Sequence, residues 1–186
     1  KAFDRVEWEW LFKVMQKFNF GERLIRWIEI CYKHANSAIV TNGYVGPYFP
    51  VRRGVRQGDA LSAILFIIQM EPMSEFIRNT QIVKGVYLPE LDNNVVNYHE
   101  IKLCQFADDT SIIMKNRRDL VNCIQIIDNF GKASGAKLNI NKTVFLVFNE
   151  VNANINNYGI KMSVGPEIAL GIPQGITWDM EKFWEQ

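Results

Sequence analysis

Two adjacent carboxylates, Asp108 and Asp109, sit in the run Phe106-Ala107-Asp108-Asp109, between the apolar-rich segments 101–105 and 110–114. Like charges side by side in a tight turn repel unless a cation or solvent compensates them. Hard oxygen ligands suit Mg²⁺, which takes one or two protein carboxylates and completes its shell with water and substrate phosphates. Two such ions about 3.5–4 Å apart activate an attacking oxygen and stabilise a leaving one in phosphoryl transfer. An Asx-type hairpin turn accounts for the same two residues without catalysis, because Asp is common in turns. The second constellation is Arg52-Arg53-Gly54-Val55-Arg56-Gln57-Gly58-Asp59, leading into an apolar run from Ala60 to Met70. At a helix N-terminus such a turn offers free N–H groups and a positive dipole end to an anion. Arg56 can add a charged fork to phosphate, and Gln57 can hydrogen-bond a base or sugar. Gly58 lets a flat ligand approach the backbone closely. The plainer alternative is a basic surface loop with Asp59 or Ser62 capping the helix. Neither a P-loop nor the dinucleotide-binding glycine fingerprint occurs.

These residues need elements to hold them. Apolar side chains at Trp8, Leu11, Phe12, Met15 and Phe18 recur at helical spacing, which predicts a helix over 7–18. Leu24, Ile25, Ile28, Cys31 and Tyr32 predict a second over 22–34, their aromatics serving the core. Asn42-Gly43 between strand-like runs predicts a hairpin. A long apolar helix follows from 60, with Pro72 as a kink or break before the pattern resumes to Arg78. Residues 85–88 read as a strand and 89–100 as a polar loop. Two further strands, 101–107 and 110–114, flank the carboxylates. An amphipathic helix over 117–132 ends at Ser134-Gly135, and 143–148 is a short strand. Residues 149–158 read as a loop, and 162–172 as short strands. Strands mixed with long covering helices predict one α+β domain.

Composition narrows the classes. The chain has 186 residues, 21 Lys+Arg against 20 Asp+Glu, and 48% hydrophobic residues. That is enough for one core, and the net charge of +1 is no argument for nucleic-acid binding. The apolar run 60–70 falls short of the ~20 residues a membrane helix needs, which predicts no membrane partner. Cys31, Cys104 and Cys123 form no zinc spacing and no disulfide framework, pointing to a reducing intracellular setting.

Taken in order, the segments resemble the palm of a reverse transcriptase, and most closely that of non-LTR (LINE-type) retrotransposons. Residues 1–6 (Lys-Ala-Phe-Asp-Arg-Val) resemble the end of motif A, and 53–70 resemble motif B. Residues 106–109 are similar to motif C, 134–143 to motif D, and 170–172 to a remnant of motif E. Phe106 and the Ala2-Phe3-Asp4 run favour the LINE type over a group II intron maturase. The resemblance implies a palm-like antiparallel sheet covered by helices. It also implies RNA-templated DNA synthesis, with dNTP as substrate, two Mg²⁺ ions, an RNA template and a DNA primer. Asp108 and Asp109 would bind metal. Phe3 would lie below the incoming sugar as the gate that excludes a 2′-hydroxyl, although a core Phe is the alternative. Gln57 and Gly58, with Arg56, would line the nucleotide and template pocket. Lys142 would protonate or neutralise pyrophosphate, or else be a solvated lysine.

The departures shape the expectation. Motif A reads D-x-x-x-A-F-D in the family. Lys1 takes its last variable position, so the first metal-binding Asp falls three places before it, and Asp4 matches the second Asp instead. Ala63 replaces the usual Pro of motif B, and Ala169 replaces the aromatic usual before Leu170-Gly171. The chain is therefore expected to be a fragment, inactive as a polymerase by itself. The rival expectations are a non-catalytic palm remnant that binds RNA or a protein partner, and a degenerate product that folds poorly.

Overall fold

The structure, a computed structural model, describes residues 2–92, 95–147, 159–163, 167–169 and 172–174. Residues 1–137 form one unit and 138–186 another.

In the first unit the helical periodicities become α1 (Trp8–Lys17) and α2 (Glu22–Lys33). Their apolar faces supply Leu11, Met15, Ile25, Ile28 and Tyr32 to a core completed by Val6, Val55, Leu65 and Phe66. Leu65 and Phe66 come from α3 (Ala60–Asn79). Farther along, the same helix gives Met73 and Ile77 to a second cluster with Val83, Cys123, Ile126 and Phe130. The last three belong to α4 (Asp119–Ser134), which ends where Gly135 takes φ 75, a left-handed cap that glycine adopts without strain. Trp10 of α1 joins the two clusters: its indole N–H donates to the Gln69 carbonyl at 3.2 Å, and its ring meets Phe130 edge-on at 5.8 Å.

Two expectations change here. First, α3 runs unbroken through Pro72 for 20 residues, because its C-terminal half is buried in the second cluster as its N-terminal half is in the first. A mid-helix proline costs about 3 kcal/mol, and packing on both sides offsets it. At this length α3 is apolar enough to cross a membrane by length and composition, yet Leu65, Phe66, Gln69, Met73 and Ile77 face protein cores. Second, residues 89–92 and 95–100 are strands rather than loop. β5 (Val86–Asp92) pairs antiparallel with β6 (Val95–Ile101). Tyr87, Leu88, Val96 and Tyr98 are exposed, so neither face carries the apolar alternation that marks a half-buried strand. Backbone pairing and a cross-strand contact of His99 Nε2 with Glu90 Oε2 at 2.8 Å hold the ribbon.

The remaining strands of this unit also pair two by two. Before the strands just described come β1 (Asn36–Ser37), β2 (Val40–Thr41), β3 (Tyr44–Val45) and β4 (Phe49–Pro50), with β2 on β3 and β1 on β4. Asn42-Gly43 makes the turn, as its sequence demands. β7 (Leu103–Phe106) and β8 (Asp109–Ile112) form the hairpin that carries the carboxylates. Ile113 N–H donates to Lys102 O at 2.8 Å, closing its open end, and Lys115 N–H donates to Lys84 O at 2.7 Å, tying it to the chain before β5.

In the second unit β9 (Val144–Leu146) pairs parallel with β10 (Lys161–Ser163), and β11 (Glu167–Ala169) antiparallel with β12 (Ile172–Gln174). The expected loop at 149–158 lies outside the described residues, as do Leu170 and Gly171; Ile172 opens β12. Helices and small, mostly antiparallel pairs make the chain α+β.

Candidate active site

The β7–β8 register pairs Phe106 with Asp109, so Ala107 and Asp108 are the two residues of the turn. Tight hairpin turns require positive φ, which Gly, Asn and Asp adopt most readily. Ala107 nonetheless has φ 51, a left-handed conformation of the kind that concentrates at functional sites. Asp108 stands at the apex and Asp109 opens β8, both exposed. Among the described residues neither makes an ion pair. From behind, α3 braces the hairpin: Ser74 Oγ lies 2.5 Å from Gln105 Oε1, and Gln105 Nε2 donates to Thr110 Oγ1 at 3.3 Å.

A second pair of segments meets in front. Gly54 N–H donates to Val6 O at 2.8 Å, Val55 N–H to Phe3 O at 2.9 Å, and the Trp8 indole N–H to Gly54 O at 2.8 Å. The loop before α3 is thereby laced to the first six residues. Gly54 has φ 90, and a Cβ there would lie 3.1 Å from Asp4 Cα. Gly54→Ala is therefore expected to cost about 2 kcal/mol through left-handed strain and crowding against backbone, lowering Tm by about 5 °C. Arg53→Ala loses only the exposed pair with Glu7 at 3.3 Å and should shift Tm by less than about 1 °C. Thermal unfolding of the two variants side by side checks this.

The lacing sets Phe3 against α3, where its ring stacks on Phe66 with centroids 4.7 Å apart at 18°. Phe3 is thus a core residue on one side. On the other it lines a cleft of about 520 Å³, together with Gln57, Gly58, Asp59, Ser62 and Asp108. Gln57 and Gly58 form a turn, closed by Asp59 N–H to Arg56 O at 3.4 Å. Gly58 has φ 89 and open space beside it. Asp59 caps α3, its Oδ1 accepting from Leu61 N–H at 3.1 Å, so the capping role and the cleft share one residue.

Of the sequence-predicted site residues, Phe3, Gln57, Gly58 and Asp108 line one cleft. Arg56 is exposed and outside that lining. Asp109 is adjacent to Asp108 but outside the lining as well. Lys142 lies in a short 3-10 turn, Ile140–Lys142, of the second unit. Asp4 turns its backbone to Gly54. Ser62 and Ala63 were not read as ligand-facing, and Asp59 only as a cap; their spacing on the first turn of α3 was the available signal. Burial pushes the Tyr32 phenol up, opposed by a Ser62 hydroxyl that favours the phenolate. Burial, then Asp119, pushes the Cys123 thiol up to about 11, which makes it a poor nucleophile.

A sequence profile of the family described as reverse transcriptase (RNA-dependent DNA polymerase) matches residues 1–177. The chain belongs to the reverse transcriptase family. It is 29% identical over 143 residues to the Transposon TX1 uncharacterized 149 kDa protein of Xenopus laevis, covering 77% of this chain and 10% of that protein. It is 26% identical over 145 residues to the Retrovirus-related Pol polyprotein from type-1 retrotransposable element R2 of Popillia japonica, covering 77% and 19%. The corresponding polyprotein from type-2 retrotransposable element R2DM of Drosophila melanogaster is 25% identical over 142 residues, covering 76% and 12%. These relatives support the LINE-type, non-LTR assignment. This reverse transcriptase chain spans less than a fifth of the length of each.

Reverse transcriptases act on nucleotides with divalent metal, so the carboxylates can be tested for fit. Among the described residues no three His, Cys, Asp or Glu side chains converge as a metal cage. Asp108 and Asp109 nevertheless fit a hydrated Mg²⁺: two exposed carboxylates, with no ion-pair partner among the described residues, provide the few protein oxygens it takes, leaving the rest to water and phosphate.

Proposed function

We propose that the first unit is the nucleotide-binding palm of a LINE-type, RNA-directed DNA polymerase, with motif A's end at 1–6, motif B at 53–70 and motif C at 106–109. The observation that carries this is the cleft, which draws Phe3, Gln57, Gly58 and Asp108 together from three segments. Phe3, held by its stack on Phe66, gives the sugar a flat wall that leaves no room for a 2′-hydroxyl. Gln57 hydrogen-bonds the base or sugar, and Gly58 keeps that edge free of side chain. Asp108 and Asp109 would hold Mg²⁺, which when bound supplies charge stabilisation for phosphoryl transfer. For Lys142, with motif D at 134–143, the resemblance implies the pyrophosphate role in the parent enzyme. RNA template and DNA primer are the partners of the parent reaction, and the exposed thiols of Cys31 and Cys104 suit a reducing intracellular compartment.

With Asp108 and Asp109 as the only carboxylates proposed to hold metal, the chain by itself should give no templated extension. Removing one electrostatic contact of this kind costs about 10²–10³-fold, and losing a metal ligand compounds that. Paramagnetic Mn²⁺ with dTTP tests binding apart from turnover. Broadening should centre on the amides of 107–109, require the nucleotide, and vanish in Asp108→Asn. Phe3→Val should bring UTP to parity with dTTP. Broadening centred elsewhere, or unaffected by Asp108→Asn, rejects the reading, and templated extension by the chain alone rejects the inactivity.

A further inference from the structure

Between Glu29 and Asp59 the sequence holds no carboxylate side chain, while Lys33, Arg52, Arg53 and Arg56 place four positive charges there. A chain of net charge +1 therefore conceals one strongly cationic stretch. Most of that stretch is the nested ribbon β1–β4, whose strand residues are all exposed. Gly46 N–H donates to Ile39 O at 2.8 Å and Val51 N–H to Ala35 O at 2.9 Å, so the ribbon is closed at both levels. The Ala35–Val51 bond closes the base, with Lys33 and His34 just before it in the chain and Arg52 and Arg53 just after it. Tyr44, next to the turn, and Tyr48, immediately before β4, are 82% and 75% exposed, more than any other large apolar side chain among the described residues. From Arg52 the chain runs directly through Arg56 to Gln57 and Gly58 at the cleft.

Exposed aromatics beside a cationic base, in which Arg53 is paired with Glu7 at 3.3 Å and Lys33, Arg52 and Arg56 remain to meet an anion, complement a polyanion with free ring faces. Single-stranded nucleic acid has both, because unpaired bases stack on aromatic rings while phosphates meet Lys and Arg. A duplex offers the charge but hides the faces. We propose that this ribbon binds single-stranded nucleic acid, with Tyr44 and Tyr48 stacking on bases and Lys33, Arg52 and Arg56 holding phosphates. The assignment deepens the polymerase reading by giving the template strand a surface that leads to the cleft, and rests on that reading for the strand's being RNA.

A labelled 16-nucleotide RNA, single-stranded or annealed to its complement, is titrated with the chain in EDTA over a range of salt. The single strand should bind more tightly. Tyr44→Ala with Tyr48→Ala should weaken it at least tenfold, roughly the loss of two stacking contacts, while Phe at both positions keeps affinity within about threefold. Arg52→Gln with Arg56→Gln should reduce the slope of log K against log salt by about 1.4. Circular dichroism and heat unfolding should be unchanged in every variant. Absence of binding by the unmodified chain overturns the proposal, as does equal affinity for duplex or no effect of the tyrosine pair. Self-association abolished by the same variants, without RNA binding, assigns the ribbon to a second copy and overturns it too. EDTA separates this result from the cleft: the Mn²⁺–dTTP experiment can fail while the ribbon binds, and the reverse.

Discussion

Alanine at Lys102 is expected to destabilise the first unit by about 3 kcal/mol or more. The Lys102 side chain is only 3% exposed, rare for a lysine. Its Nζ donates to the carbonyls of Thr80 at 2.6 Å and Arg78 at 3.2 Å, at the end of α3. Those carbonyls have no partner within the helix, and a cation there also opposes the negative end of the dipole. The third contact is Glu100 Oε2 at 3.3 Å. Truncation strands all three acceptors in a place with little water. Lys102 also immediately precedes β7 and accepts from Ile113 N–H, so it anchors the open end of the hairpin whose closed end carries Asp108. Urea unfolding followed by tryptophan fluorescence measures the loss; a change below about 1 kcal/mol would show the lysine to be dispensable. A pH dependence accompanies it. A hydrogen bond from Gly85 N–H, reinforced by Lys102 against the cost of burial, holds the Glu100 carboxyl below its ordinary 4.5. A depressed folded-state value stabilises the fold above the unfolded pKa, and the contribution disappears as pH falls through the folded one. Glu100→Gln should therefore flatten the acid limb of the stability profile below pH 4.5 and leave the neutral region's slope unchanged.

Gly85→Ala is expected to be nearly as damaging, at about 3 kcal/mol, the upper end of overpacking costs. A Cβ at Gly85 would lie 2.2 Å from the Ile101 carbonyl oxygen and 2.8 Å from its carbon. Alanine has no rotamer with which to avoid backbone, so the strands themselves must separate. They are tied on either side: Gly85 N–H to Glu100 Oε1 at 2.8 Å, Lys84 N–H to Asp119 Oδ2 at 3.0 Å, and Lys115 N–H to Lys84 O. Displacing this seam frees Glu100 and the buried Asp119 together. Gly21→Ala is the control, since nothing lies within 4 Å of a Cβ there and φ is −60. The Gly85 variant should lose about 10 °C in Tm and the Gly21 variant almost nothing; equal melting of the two refutes the steric argument. Because Lys102 Cγ is also 2.8 Å from the added Cβ, the double variant with Lys102→Ala should lose less than the two single losses combined.

Neither prediction was legible in the sequence. Lys102 reads as one position of the strand 101–107, between two apolar residues, and Gly85 as the first residue of the strand 85–88. What defines Lys102 is the end of α3, more than 20 residues away in the chain, and what defines Gly85 is the Ile101 carbonyl across the ribbon. The 89–100 ribbon failed to register for a related reason. Tyr87, Leu88, Val96 and Tyr98 are exposed, and periodicity reports burial on one face rather than backbone pairing. Pro72 misled in the opposite direction, since its local penalty is real but packing of α3 in two cores outweighs it. By contrast α1, α2, α4 and the Asn42-Gly43 turn were readable, because helical spacing of buried residues and the positive φ of a two-residue turn are local demands that local sequence must meet.

The sequence by itself determined the inventory and its order: an aromatic at 3, a Gln-Gly turn before an apolar helix, and two carboxylates between strands. Residue type and spacing are properties of the chain, and the resemblance to reverse transcriptases rests on them. Only the tertiary structure decided which of these residues share a space. Phe3 reaches the cleft because Gly54 and Val55 hydrogen-bond to Val6 and Phe3 some fifty positions away, and Asp108 joins it from another hairpin, while Arg56 stays outside. Such contacts depend on close packing and on backbone groups finding partners across the chain, and neither condition leaves a periodic trace in the segments that meet.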